Sequence, residues 1–373
     1  MHLSIGLLLP RSTDYPALGF DILDGLRNSI AINSRDELRI IPENIGYGED
    51  HALNYAKAEK LLLQDNVDAI IAYCNVANAE PLYGLAAAIG RPFIFVDPGM
   101  QLPEMIAQPY CYHISLQGVH ACRIAGYLAG EKSRKVLMAT SFYDGGYRGP
   151  WGYTRGLEEA GGSVCGNYVS GYKEAEFSID AYIELLRHSG AQSVAACFST
   201  YLADLFIKAL KEKHPSAIAL PFYCSPFMAE EQLLAKCDFP GGTFHAIVPW
   251  GSGLQGEAQQ LFTDTILKEK KKKANIFHLL GWEAGIVVPQ ALREGATSLN
   301  GFSYASPRGT VTIHPQTQFT YAPLYKAEIV GDEQHKCILN IGDPIDVTAA
   351  NHEMVHNDKP DMAAGWKNNY LCI

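Results

Sequence analysis

The feature that most constrains this chain is an alternation, repeated from its beginning, of short apolar runs with segments of helical period. A run of four to eight apolar residues bounded by turn residues fits a strand buried on both faces, and the amphipathic stretch after it fits the helix that covers it. Repeated, the pair builds mostly parallel sheets with helices on both faces. Leu3–Leu9 reads as the first strand; after the loop 10–16, the side chains of Leu18, Ile22, Leu26, Ser29 and Ile30 fall on one helical face. Strands over 38–45, 68–73 and 92–96, with helices over 51–64 and 80–89, complete one doubly wound unit. A second unit follows, with helices over 119–131, 153–160, 179–188 and 202–213 and strands over 135–140, 162–168, 193–198, 220–223 and 243–248. Two helical patterns over 257–272 and 276–293 have no strong strand between them and are expected to return to the first unit. The tail alternates like antiparallel strands over 309–313, 317–330 and 336–341, with turn residues at Pro315 and Gly331-Asp332.

At 373 residues the chain is too long for one core and fits two α/β lobes. No apolar run is long enough to span a bilayer, and the formal charge of −10 argues against a nucleic-acid or anionic-membrane partner. The basic run Lys270–Lys273, after Lys268 and Glu269, is expected to be a solvated helix end favoured by the macrodipole. Nine cysteines without a C-x-x-C pair exclude a common zinc ribbon and point weakly to a reducing compartment. The apolar segment 5–9 is too short for a signal core, and no basic segment precedes it.

In open α/β sheets ligands sit beyond the carboxyl ends of the strands. Here those loops, 10–18, 74–78, 97–102, 141–150, 199–201 and 224–228, are rich in aromatic, amide and hydroxyl side chains and poor in paired ionisable ones. That composition suits a binding cleft better than a catalytic centre. Tyr15, Leu18, Asn75, Gln101, Gln117, Tyr143, Tyr147, Tyr201 and Phe227 are the residues expected to line it. No catalytic residue, metal ligand or cofactor is expected.

Two motifs compete with this reading. His352-Glu353-Met354-Val355-His356 has the H-E-x-x-H spacing of a zinc hydrolase, which places two imidazoles one helical turn apart with a carboxylate as general base. A metal-dependent hydrolase using His352 and His356 is therefore the alternative function. Its downstream context fails, since Lys359 and Met362 occupy the positions where the longer zinc motif needs glycine and histidine. The segment is expected to be a solvated terminal helix or loop. Gly251-Ser252-Gly253-Leu254-Gln255-Gly256 has the dinucleotide spacing, but no strand ending in an acid follows about twenty residues on, and a flexible crossover between lobes fits it better. His113 and His245 are expected to be core residues.

Ile5-Gly6-Leu7-Leu8-Leu9-Pro10, Ala17-Leu18-Gly19, Asp24-Gly25-Leu26 and Leu62-Leu63-Gln64-Asp65 before Val67-Asp68-Ala69-Ile70-Ile71 resemble the leucine/isoleucine/valine-binding protein family. Pro98-Gly99, Gly281-Trp282-Glu283-Ala284-Gly285, Ser306-Pro307-Arg308-Gly309 and His314-Pro315-Gln316-Thr317-Gln318 extend the resemblance to about residue 330. It implies a type I periplasmic binding protein fold: two doubly wound parallel-sheet lobes joined by a three-strand hinge. The crossings fall near Leu116, Pro249 and Tyr325, giving one lobe of 1–116 plus 250–325 and another of 117–249 plus 326–373. The implied function is a substrate-binding protein that closes on a small solute for an ABC-type importer of the branched-chain amino-acid, amide or aromatic-acid class. Its partners would be the solute and a membrane permease or sensor, with no nucleic acid and no insertion into the membrane. The resemblance implies the periplasm or cell envelope, while the sequence given shows no signal-peptide pattern, leaving the cytoplasm open. Carried over by local motif, the family's two acidic anchors for a ligand ammonium fall on Gln117 and near Phe227. A buried ammonium without a carboxylate is costly, so a standard zwitterionic amino acid is not expected and a neutral or anionic solute is.

Overall fold

The computed structural model describes residues 3–34, 37–104, 108–213 and 215–358. The first half of the chain runs β1 (Leu3–Leu9), α1 (Leu18–Asn33), β2 (Leu38–Asn44), α2 (His51–Leu63), β3 (Ala69–Tyr73), α3 (Val76–Ile89), β4 (Phe93–Asp97) and β5 (Cys111–Ser115). It continues with α4 (Gly118–Lys132), β6 (Lys135–Ser141), α5 (Gly149–Glu159), β7 (Ser163–Ser170), α6 (Asp180–His188), β8 (Ser193–Cys197), α7 (Thr200–Glu212), β9 (Phe222–Cys224), α8 (Glu231–Leu234) and β10 (Phe244–Val248). The remainder is α9 (Glu257–Lys270), α10 (Ile276–Glu294), β11 (Ser303–Ser306), β12 (Gly309–Ile313), β13 (Thr320–Tyr321), β14 (Leu324–Gly331), β15 (Cys337–Ile345) and α11 (Ala349–Asn357).

The first sheet has the order β2-β1-β3-β4-β5, parallel throughout. Its inner strands are buried on both faces, so their side chains alternate between two cores rather than between core and water. Ile5, Leu7, Ile71 and Ile94 pack with α1 and α10, whereas Leu8, Ile70, Phe93 and Phe95 pack with α2 and α3. The pair α1 and α10 crosses closely because of two glycines: a Cβ on Gly25 would stand 2.0 Å from the His278 carbonyl oxygen, and one on Gly281 would stand 2.0 Å from that of Ile22. Glycine is the residue that permits such a backbone approach.

The second sheet has the order β15-β14-β10-β9-β8-β6-β7, with β14 and β15 antiparallel and the others parallel. The chain passes to this sheet after β5, leaves it after β10, and returns between β13 and β14. A small antiparallel sheet, β11-β12-β13, precedes that return. The two doubly wound sheets agree with the fold class expected from the sequence.

Several expectations are corrected. The single strand expected over 317–330 is broken at Ala322-Pro323, where the chain changes sheets and proline offers no N–H to continue a ladder. Strand β5 carries His113, expected in an apolar strand, although Cys-Tyr-His-Ile-Ser has neither apolar continuity nor a simple alternation; its five residues are all buried. The basic run is not simply solvated: Lys270 pairs with Asp24 at 2.7 Å and Lys272 with Asp21, clamping the end of α9 to α1. The 352–356 segment is a helix, but His352 and His356 are only 2% and 5% exposed, so it is not the solvated element expected. Residues 359–373 of the span assigned to the second lobe lie outside the described residues.

Candidate functional site

The strand-end loops of the two sheets meet one another. From the first come the β1–α1 loop with Tyr15, the β3–α3 turn with Asn75, and the stretch from Asp97 to Gln101 after β4. From the second come 141–148 after β6, 198–201 after β8 and 225–230 after β9. Tyr15 donates its hydroxyl to Glu230 Oε2 at 2.9 Å across the junction, and the Arg148 N–H donates to the Met100 carbonyl at 3.1 Å. One cavity of about 30 Å³ lies between Pro98, Leu116 and Ile276 on one side and Phe227, Ala229 and Glu230 on the other. A second, of about 140 Å³, lies between Asp14 and Tyr15 on one side and Thr200, Tyr201 and Lys236 on the other. The lobes are thus in contact, and the cleft is in a closed arrangement.

Aromatic rings dominate its interior. Tyr15 and Tyr73 lie edge-on to Phe277 at 5.2 and 6.2 Å, while Tyr147 contacts Tyr143 at 5.4 Å and Phe227 at 6.4 Å. The Tyr147 hydroxyl donates to that of Tyr143 at 2.7 Å. Among the residues expected here, Tyr15, Tyr143, Tyr147 and Phe227 belong to this ring network, and Tyr201 lines the outer cavity. Leu18 instead opens α1 and is packed in the first lobe's core. Asn75 caps α3 by accepting from the Asn78 N–H, which leaves its own Nδ2 without a partner. Gln101 is buried after β4. Gln117 is a hinge brace: its Oε1 accepts from the Ala322 N–H at 2.8 Å, joining the first chain crossing to the third, and its backbone is left-handed with φ of 58°.

From the sequence, Asp14, Asp97 and Asp144 are the alternative acidic anchors on these loops, whereas Glu230 is not singled out. Asp97 is fully buried, accepts from the Gly99 N–H, and is pushed up to about 8 by desolvation. Asp144 accepts from Ser141 Oγ at 2.6 Å, and from Ser199 Oγ at 2.5 Å and its N–H at 3.1 Å; burial pushes it up to about 7 against those bonds. Glu230 caps α8 through the Gln232 and Leu233 N–H groups, and desolvation raises it too. The positions carried over for the acidic anchors hold Gln117, bonded to Ala322, and Phe227, packed against Tyr147. The available signal was local: Asp97 closes a strand before Pro98-Gly99, and Ser141 precedes Asp144 by the three residues of a side-chain-capped turn.

The competing hydrolase site does not assemble. His352 Nε2 is 3.2 Å from Thr317 Oγ1, and the His352 ring stands 4.4 Å from His356, 5.5 Å from His314 and 5.3 Å from Tyr321. Among the described residues no group of three or more His, Cys, Asp or Glu side chains is placed to hold a metal ion. The Gly251–256 motif follows β10 into α9 at the second chain crossing, where Gly256 takes φ of 124°. No described helix is long and apolar enough to cross a membrane.

Two α/β sheets whose carboxyl-end loops close on each other across three chain crossings define a clamshell receptor for a small solute. The family model described as "Periplasmic binding protein" matches residues 2–334, and the chain belongs to that family. It is a solute-binding protein of the type that serves ABC importers, a family of binding proteins that work outside the cytoplasm. Solved structures share the fold. An ABC transporter substrate-binding protein from Sphaerobacter thermophilus superposes with a TM-score of 0.82 at 17% identity, over 92% of this chain and 98% of that one. A solute binding protein from Rhodopseudomonas palustris BisB5, in complex with 3,4-dihydroxybenzoic acid, gives 0.75 at 15% identity over 92% and 97%. The branched-chain amino acid transporter substrate binding protein LivJ from Streptococcus pneumoniae, with isoleucine, gives 0.67 at 12% identity over 92% and 100%. No curated protein matches the chain in sequence.

Proposed function

We propose that this chain is the extracytoplasmic, non-enzymatic receptor of an ABC-type importer, sited in the periplasm or cell envelope, and that it delivers a small solute to a membrane permease. The lobes move as two bodies, 1–116 with 250–325 and 117–249 with 326–373, and the solute shifts the population toward the closed arrangement the permease reads. The observation that carries this is the Tyr15–Glu230 hydrogen bond, made between strand-end loops of opposite sheets only when the lobes meet. Structures of the same fold hold hydroxybenzoates and isoleucine, which supports a solute of similar size. A standard zwitterionic amino acid is not the solute proposed, because the cleft acids are not matched by a buried basic side chain for its carboxylate. Among the described residues the two buried arginines serve other partners: Arg308 is bound to Glu283, and Arg123 to Glu159 and Asp358.

A thermal-shift screen over amines, amides, amino acids and aromatic acids tests the function. A solute at a hundredfold its dissociation constant adds about 2.7 kcal/mol to stability, a shift of several degrees. Tyr15→Phe should then weaken the hit by roughly 3- to 10-fold, the loss of one hydrogen bond of the closed form. Failure of every class of solute to raise the melting temperature would contradict the receptor reading.

A further inference from the structure

Two cysteines a hundred residues apart in sequence meet at the edge of the second sheet. Strand β15 ends that sheet, and the chain just after α8 pairs with the start of β15 on its open side. The Cys337 N–H donates to the Cys237 carbonyl at 2.9 Å, the Phe239 N–H donates to the His335 carbonyl at 2.8 Å, and Asp238 and Lys336 form the antiparallel bridge between them. That register sets Cys237 directly opposite Cys337.

Alternation along the ladder decides where the two side chains point. Asp238 and Lys336, the adjacent opposed pair, face water as an ion pair at 2.5 Å. The cysteines therefore share the inward face: Cys237 is 1% and Cys337 2% exposed, both in the apolar cluster of Leu233, Phe244 and Ile329. Residues opposed in an antiparallel ladder hold their Cα atoms about 4.5–5.5 Å apart, inside the span of about 4.4–6.8 Å that a disulfide bridges. Both stand as thiols in this structure, and that of Cys237 donates to Asp204 Oδ1 at 3.4 Å. Asp204 keeps Lys208 at 2.6 Å when this weak contact is given up.

We propose that Cys237 and Cys337 form a structural disulfide that staples the end of the segment 225–237 to the edge of the second sheet. Phe227 and Glu230 lie on that segment and line the cleft, so the staple fixes one wall of the site. The proposal rests on the extracytoplasmic setting of the receptor reading, where disulfides form and persist, and runs against the reducing compartment to which the cysteine pattern pointed. Closing the bond takes two protons and two electrons from the thiols. A disulfide oxidant accepts them by exchange through a mixed disulfide and leaves as two thiols. Burial pushes both cysteines up to about 12. Only a thiolate attacks, so the exchange belongs to folding, before this cluster closes.

Refolding of the reduced, unfolded whole chain in a buffer of glutathione and glutathione disulfide tests it, with thiols then counted in denaturant. Seven of the nine thiols should remain, and digestion without reductant should release one linked peptide pair holding Cys237 and Cys337. The bond closes a long loop, so the oxidised chain should melt about 5 °C or more above the reduced one. Reductant should leave the melting temperature of the double variant Cys237→Ser, Cys337→Ser unchanged, which separates the staple from any other effect of reduction. Nine free thiols after refolding, a linkage between other cysteines, or equal melting temperatures with and without the Cys237–Cys337 bond overturns the proposal. None of these outcomes involves a solute, so the receptor reading stands or falls separately in the thermal screen.

Discussion

His352 and His356 sit in a buried cluster of tilted rings with His314, Phe319 and Tyr321. The motif spacing that suggested zinc instead puts two imidazoles on one buried helical face. Substituting His352 by alanine is expected to cost about 1–3 kcal/mol in urea denaturation, from lost packing and the stranded Thr317 hydroxyl; a change below about 0.5 kcal/mol would match the solvated helix expected from the sequence. Titration acts on the same scale. Burial holds His113 down to about 3 and His120 to about 4, with His352 lowered as well. Below about pH 6.5 the unfolded chain takes up protons there that the folded chain refuses, so stability falls as pH drops from 6.5 toward 4. Asp97 and Asp144 have the opposite sign: raised to about 8 and about 7, they keep a proton when folded that the unfolded chain releases. Their contribution is present at low pH and lost as pH rises through 7 and 8. Denaturation at pH 6 and pH 8.5 should show this alkaline loss in the natural protein and a smaller one in Asp97→Asn; equal losses would contradict the buried-acid reading.

At the scale of elements, one buried ion pair ties helix, hairpin and hinge together. Arg308 donates from Nε to Glu283 Oε1 at 2.7 Å and from Nη2 to Glu283 Oε2 at 2.9 Å, and Nη2 also reaches the Ser115 carbonyl at 3.1 Å. Both side chains have no exposed surface. The β11–β12 hairpin is thereby pinned to α10 and to the end of β5, where the chain first leaves the sheet. Glu283→Ala would leave the guanidinium buried without its counter-charge, and a loss of about 3–5 kcal/mol is expected by chemical denaturation. A loss below about 1 kcal/mol would mean that the pair does not brace this junction. The segment Gly281-Trp282-Glu283-Ala284-Gly285 was legible as a family motif, and its physical content is now plain: Gly281 lets α1 approach, Trp282 fills the core beside Phe262 at 5.2 Å, and Glu283 meets Arg308. The parallel units were legible because their strands are uniformly apolar. Strands β5 and β11 leave weaker patterns: β5 is set by β4 and by the His113–Phe319 stack at 4.1 Å, and β11 is a short, partly exposed strand set by its hairpin with β12. In the cleft the aromatic residues, Asp97 and Asp144 can be anticipated from their place after strands, whereas Glu230 cannot, because burial rather than residue type decides which carboxyl matters.

For the whole molecule the claim is that two lobes close on a solute. The packed side chains run continuously from the first lobe's Ile5, Leu7 and Phe277 into α4, α5, Phe227 and Trp250 of the junction. The arrangement is closed, with Tyr15 bonded to Glu230 between the strand-end loops and Gln117 bonded to Ala322 at the chain crossings. Opening breaks the first and spares the second, so that crossings stay short while the mouth widens. Small-angle scattering of the whole chain, alone and saturated with the solute that raises its melting temperature most, measures this directly. The account predicts a smaller radius of gyration with solute and a scattering curve that then matches the closed structure. The same radius with and without a tightly bound solute would contradict it.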